Sequence, residues 1–264
     1  MQEVYFRKVG DHKEGQCIWG FINGIFNTKK DALKSAKKIS EAANGEAVYA
    51  LKNDTAFFGL KDLAETAAMK LQVYSPIVPL AVEFIRHLFS LSEKDNKKPP
   101  IILFAHSQGA IISERALEHL TPKERESLRI FTLGGGSFIP PGKSHPDSHN
   151  YASAADPVCR LGSPELQLLA LAIYEGRKEG LPLDQIFYNL AMQDAILHIN
   201  SRDPSVLQKY LQSRVDHYQK TYPQIGNVTI LDPDPGKLMR HRLSSRCYQT
   251  ILRQLIKKYS SEKR

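Results

Sequence analysis

The stretch Ile101-Ile102-Leu103-Phe104-Ala105-His106-Ser107-Gln108-Gly109-Ala110-Ile111-Ile112 decides how this chain folds. Its first five residues are a short, continuous apolar run behind Pro99-Pro100, which suits a strand covered on both faces. Beyond Gly109, Ile111, Ile112, Ala116 and Leu117 recur at helical spacing. Between strand and helix stands a serine with a small residue two places to either side, Ala105 and Gly109. A strand that turns sharply into a helix at a serine has no room for large side chains there. The turn also holds the hydroxyl up at the carboxyl edge of the sheet. The helix amino terminus behind it adds positive potential where an oxyanion would form. Ser107 is the expected nucleophile, and the Gln108 backbone N–H the expected first oxyanion donor.

On either side the chain alternates apolar runs with amphipathic ones. Residues 17–22 read as a buried strand ended by Asn23-Gly24. A capping box over residues 28–31 opens a helix with Leu33, Ala36, Ile39 and Ala43 on one face. Residues 47–51 form a second strand, and 60–71 and 78–91 form helices. Residues 128–133 are a further strand, running into Gly134-Gly135-Gly136, which either line a pocket or let the chain turn. A weaker strand covers 150–154. Ser163-Pro164-Glu165 then starts a helix, and more helices are expected over 183–191 and 205–222, the latter with Val206, Leu207, Tyr210, Leu211, Val215 and Tyr218 on one side. A strand at 228–231 and a helix over 244–259 close the chain. This order predicts an α/β protein, with a mostly parallel central sheet flanked by helices. Residues 1–162 and 226–264 would form the core, and 163–225 an inserted helical cap.

Composition narrows the function classes. Of 264 residues 42% are hydrophobic, which supports a sizeable core and excludes a fibrous or disordered chain. Apolar runs such as 168–174 fall far short of the roughly 20 residues that cross a bilayer. The first residues lack a basic segment followed by an apolar one, so no cleavable signal peptide is expected. Cys17, Cys159 and Cys247 form no C-x-x-C and no zinc spacing, which favours free thiols in a reducing, cytoplasmic setting. Export without a cleavable signal peptide stays compatible with that. No Walker loop, dinucleotide fingerprint or metal-ligand spacing is present, so no cofactor and no metal are expected.

Lys and Arg number 36 against 28 Asp and Glu, a net charge of +8. Residues 236–264 carry nine basic residues against the single acid Glu262 and so account for all of it. The last helix would bury Tyr248, Ile251, Leu252, Leu255, Ile256 and Tyr259 and turn its basic residues outward. That outward face is either plain solvated surface or a contact for an acidic membrane. Nucleic acid is disfavoured as a partner, since only net charge speaks for it.

The elbow at Ser107 resembles that of the α/β-hydrolase superfamily, in particular lipase- and esterase-like serine hydrolases with a His-Ser-Gln-Gly turn. Together with Asn23-Gly24-Ile25-Phe26-Asn27-Thr28 and Asn150-Tyr151-Ala152-Ser153-Ala154-Ala155-Asp156-Pro157-Val158, the pattern is similar to uncharacterised hydrolase-like proteins of intracellular bacteria. The likeness runs over 17–160 and 226–256, with Ala105 where a first glycine is commoner. It implies a catalytic triad in the order serine, acid, histidine. Asp156 would be the acid, or else an ordinary turn residue before proline, with Asp232 and Asp234 as substitutes.

Among nine histidines, the resemblance puts the base at His241, after the last strand; the plain alternative is a solvated loop residue. His198 is the reserve. His106 is expected to pack beside the nucleophile, His87, His119 and His217 to sit on helices, and His145 and His149 to lie in a polar loop. The segment around Gly24 and Ile25 is either a simple Asn-Gly turn or the second oxyanion donor, and the resemblance favours the donor. The implied activity is hydrolysis of a carboxylic ester or thioester through an acyl-enzyme. A lipid-like substrate would suit Leu168, Leu169, Leu171, Phe187 and Tyr188 of the cap. The alternative is a catalytically inactive binding protein on the same fold.

Overall fold

Strand β4 (Ile101–His106) is buried along its whole length, as a continuous apolar run requires. The computed structural model describes residues 6–24, 29–51, 76–153, 176–198, 227–231 and 245–261, with 158, 172, 205–206, 208–209, 212–213, 216 and 243. The strands are β1 (Phe6–Val9), β2 (Ile18–Ile22), β3 (Val48–Leu51), β4, β5 (Leu128–Leu133), β6 (His149–Ser153) and β7 (Val228–Leu231). The helices are α1 (Lys29–Ala42), α2 (Ile77–Lys94), α3 (Gln108–Leu117), α4 (Pro122–Ser127), α5 (Leu183–His198) and α6 (Arg246–Ser261). The sheet runs β1-β3-β2-β4-β5-β6-β7, parallel throughout except for β1, which pairs antiparallel with β3. This is the expected mostly parallel sheet flanked by helices.

Alternation along β4 divides the core into two layers. Ile101, Leu103 and Ala105 face α2 and α3, meeting Phe84, Ile85, Leu88, Ile111 and Ile112. Ile102 and Phe104 face the other way, onto Trp19, Phe131, α1 and α6. The stacked rings of Trp19 and Phe104, 5.9 Å apart, sit in that second layer. The Trp19 indole N–H donates to Glu46 Oε2 at 2.7 Å, which satisfies both buried polar groups.

Connectivity then determines where a ligand can reach the sheet. From β2 the chain passes through α1, on one face, to β3. From β4 it passes through α3, on the opposite face, toward β5 on the other side. The crevice between the carboxyl ends of β2 and β4 is therefore the topological switch point, where ligands bind open α/β sheets. Ile22 is in register with Ala105, so the turns after both strands meet at that crevice.

Several boundaries differ from expectation. Strand β1 was not foreseen, because four residues at a sheet edge give little alternation to read. Leu33 lies at the margin of α1, 36% exposed, since the buried stripe is carried by Ala32, Ala36, Ile39 and Ala43. The short helix α4 comes from a capping box, in which Thr121 and Glu124 exchange side-chain-to-backbone hydrogen bonds across Pro122. Helix α5 runs on to His198, and His149 opens β6 rather than lying in a loop. The helix expected over 60–71, the start at Ser163 and Cys159 lie outside the described residues, as does about half of 163–225. Cys17 is buried and Cys247 half-buried. Among the described residues no helix is long and apolar enough to cross a membrane, and no three ligating side chains converge for a metal.

Candidate active site

Ser107 is the single residue between β4 and α3, and its backbone is bent into φ 59°, ψ −126°. Residues other than glycine avoid this region, which costs on the order of 1–3 kcal/mol and persists only where the surroundings enforce it. Four contacts enforce it here. The Ser107 carbonyl accepts from the Ala110 N–H at 3.1 Å and from the Gly136 N–H at 2.9 Å. On one side, Gly109 lies so close to the end of β2 that a methyl group there would sit 2.8 Å from the Ile22 carbonyl carbon and 3.0 Å from the Asn23 oxygen. On the other, Gly24 lies directly over the hydroxyl. A Cβ at position 24 would fall 2.5 Å from Ser107 Oγ and 3.2 Å from the Gln108 nitrogen.

Gly24 therefore packs in direct contact with both the Ser107 side chain and the first backbone N–H of α3, where no larger residue would fit. The amino terminus of a ten-residue helix places its partial positive charge at the same point. An electrophilic carbon reaching Ser107 Oγ would therefore carry its oxygen toward the Gln108 N–H, the geometry an oxyanion hole needs. Ser107 itself is 3% exposed and Gln108 is buried. Asn23, buried beside them, donates from Nδ2 to the Gly24 carbonyl at 3.2 Å, and its Oδ1 has no partner among the described residues.

The loop after β5 is built to hold this turn. The Gly134 N–H donates to the Tyr151 carbonyl at 2.8 Å, and Gly134 has φ 61°. Gly135 packs against α3, where a Cβ would meet Ala110 Cβ at 2.8 Å. Ser137 Oγ donates to Glu114 Oε2 on α3. Farther along, Asn150 Oδ1 accepts from Thr132 Oγ1 and from the Ile139 N–H, each at 2.9 Å, while its Nδ2 donates to the Ile139 carbonyl at 3.0 Å. The three glycines thus brace the elbow, and Asn150 pins their loop to β5 and β6. Sequence reasoning left the glycines between two roles and gave Asn150 none. The signal was a glycine run straight after a strand, but which backbone it touches depends on the fold.

Of the residues singled out in the sequence, Ser107, Gln108 and Gly24 come together. Ile25, Asp156 and His241 lie outside the described residues, as do Asp232 and Asp234. β6 ends at Ser153, three residues before Asp156, and β7 ends at Leu231. Both strands are parallel to β4, so the chain leaves each at the edge that carries Ser107.

The described histidines behave in distinct ways. His106 points to the α6 layer and meets the Tyr248 ring edge-on at 6.4 Å and 77°. Tyr248 in turn accepts from the Ser153 N–H at 3.1 Å. His106 therefore packs beside Ser107, as expected. His87 sits between Phe6 and Tyr49, its pKa lowered by burial and by Lys94. His149 bonds Thr229 Oγ1 through Nε2 at 2.7 Å, and burial lowers its pKa to about 4. It lies two residues before Tyr151 along β6, on the far side of β5 from Ser107.

No protein-family model matches this chain, and neither does any curated protein. Several solved structures align with this chain at low identity. A poly(3-hydroxybutyrate) depolymerase from Bordetella parapertussis is 11% identical, with 98% of this chain and 84% of that one covered and a TM-score of 0.45. A lipase in its open form is 13% identical over 98% and 94%, TM-score 0.44. A Bacillus cereus carboxylesterase is 11% identical over 98% and 95%, TM-score 0.41. At these values the likeness carries no argument about what this chain does.

Proposed function

We propose that the protein is a serine hydrolase of the α/β-hydrolase type, cleaving carboxylic esters or thioesters through an acyl-enzyme. The observation that carries this reading is the strained backbone of Ser107, φ 59° and ψ −126°, at the amino terminus of α3 and packed against a glycine that no larger residue could replace. A serine needed only for packing has no use for that conformation. Strain maintained by Gly24, Gly109 and Gly136 is what presenting an oxygen to a substrate requires.

In this reading Ser107 Oγ attacks the carbonyl carbon while His241 takes its proton, with Asp156 holding the imidazole and stabilising its charged form. The oxyanion is met by the Gln108 N–H and by an N–H of the segment around Gly24 and Ile25. Collapse of the tetrahedral intermediate passes the proton to the leaving alcohol or thiol. Water activated by the same histidine then releases the acid and restores Ser107. No cofactor takes part, and the substrate is a small or lipid-like ester.

The reading is tested with p-nitrophenyl esters of increasing acyl length. Wild type should hydrolyse them, and Ser107→Ala should reduce kcat/KM about 10⁴-fold. His241→Ala and Asp156→Asn should each cost at least about 100-fold. Hydrolysis that survives Ser107→Ala unchanged would overturn it.

A further inference from the structure

The fold concentrates basic charge in a way the chain order conceals. Helices α1 and α6 are far apart in sequence yet pack side by side over the same face of the sheet, sharing the layer around Trp19 and Phe104. Both begin at the edge that carries Ser107. α1 starts five residues beyond Gly24, and Tyr248 in the first turn of α6 touches Ser153 and His106. Both run back toward the other edge, where Cys17 Sγ donates to the Tyr259 carbonyl at 3.6 Å. Among the described residues, this side of the sheet is covered by these two helices.

Helix α1 carries five basic and two acidic residues, and α6 carries four basic and no acidic one. The helices of the opposite face, α2, α3 and α4, carry five residues of each sign. Lys34, Lys37, Arg246, Arg253, Lys257 and Lys258 are exposed, while most apolar side chains of the same helices are buried. Glu41 lies 3.9 Å from Lys37 Nζ. Among them stands Leu33, one of the few large exposed apolar side chains among the described residues.

We propose that this face docks the protein on an anionic lipid bilayer. A broad layer of long basic side chains with an apolar residue at its margin matches a membrane–water boundary: the charges meet acidic headgroups and the leucine can enter the acyl border. Binding to single-stranded nucleic acid would call for aromatic side chains on which bases stack, and no exposed aromatic occurs among the described side chains of α1 and α6. This inference does not rest on the hydrolase reading.

Co-sedimentation of the full chain with vesicles tests it, comparing pure phosphatidylcholine with phosphatidylcholine containing a third phosphatidylglycerol. Each basic residue near such a surface strengthens partitioning about fivefold, or about 1 kcal/mol. Wild type should bind the acidic vesicles at about 0.1 M salt and be released toward 1 M, as screening shortens the reach of the charges. Replacing Lys34, Lys37, Arg253 and Lys257 by Gln should weaken binding at least tenfold with an unchanged melting temperature. A control that removes the same charge elsewhere, replacing Lys94, Lys98, Lys123 and Lys143 by Gln, should bind nearly as wild type. Equal losses in the two variants would overturn the proposal, because net charge alone would then explain the binding. So would equal binding to both vesicles, or tighter binding to duplex DNA than to the acidic vesicles at the same salt.

Discussion

Ser107 concentrates the functional information in one residue. Its identity and its small neighbours were legible in the sequence because an elbow excludes bulk two positions to either side. The contacts that hold it were not, since Gly24 and Gly136 reach it across the sheet from other strands. The Gly24 contact makes a sharp prediction. Gly24→Ala would place a methyl 2.5 Å from Ser107 Oγ and 3.2 Å from the Gln108 nitrogen, displacing the serine from its position. Ester hydrolysis should fall at least about 100-fold, with the far-ultraviolet spectrum of the folded chain retained. Full activity in this variant would place the reaction elsewhere. His149 yields a second prediction at this scale. Its folded pKa of about 4 lies below the ordinary value near 6.5. As pH falls through 6.5 the unfolded chain takes up the proton first, so stability complete above that pH is lost progressively down to about 4. After allowance for solvent screening the loss is about 2 kcal/mol. Melting temperatures of wild type and His149→Gln should converge in this window.

Elements were read from the sequence in proportion to their length and apolar content. β4, β5 and α6 were clear because each is a sustained pattern. β1 and α4 were missed, although Thr121-Pro122-Lys123-Glu124 carries a complete capping signature, because six residues without a buried side chain leave no apolar stripe. Thr121→Ala should cost about 1 kcal/mol by urea denaturation. The contact between α3 and β2 is far less tolerant. Gly109→Ala forces a methyl against the backbone of Ile22 and Asn23, and α3 must move away from the sheet. The expected cost is about 1–3 kcal/mol, accompanied by loss of activity, since that same backbone leads into Gly24. A fully active and fully stable Gly109→Ala protein would contradict the packing described for the elbow.

For the whole molecule, chain order hides what the fold brings together. The basic excess reads as a property of the last 29 residues in sequence, whereas the fold sets α1, with five basic and two acidic residues, beside α6, with four basic and no acidic one. The same helix also carries part of the core. Tyr248, Leu252, Leu255, Ile256 and Tyr259 are buried against Trp19, Phe104 and Phe131. At about 1.5–3 kcal/mol per buried side chain they contribute roughly 10 kcal/mol, comparable with the net stability of a typical domain. A chain ending at residue 245 should therefore lose its cooperative thermal transition and bind a hydrophobic dye. A sharp transition in that truncation would show that the second layer closes without α6.

The central claim, that Ser107 is a nucleophile held ready by its backbone, is tested most directly by intact-mass spectrometry after treatment with a fluorophosphonate. The folded wild-type protein should gain one phosphonyl adduct, mapped to the peptide containing Ser107, and Ser107→Ala should gain none. A folded wild-type chain that remains unmodified, or an adduct that persists in Ser107→Ala, would contradict it.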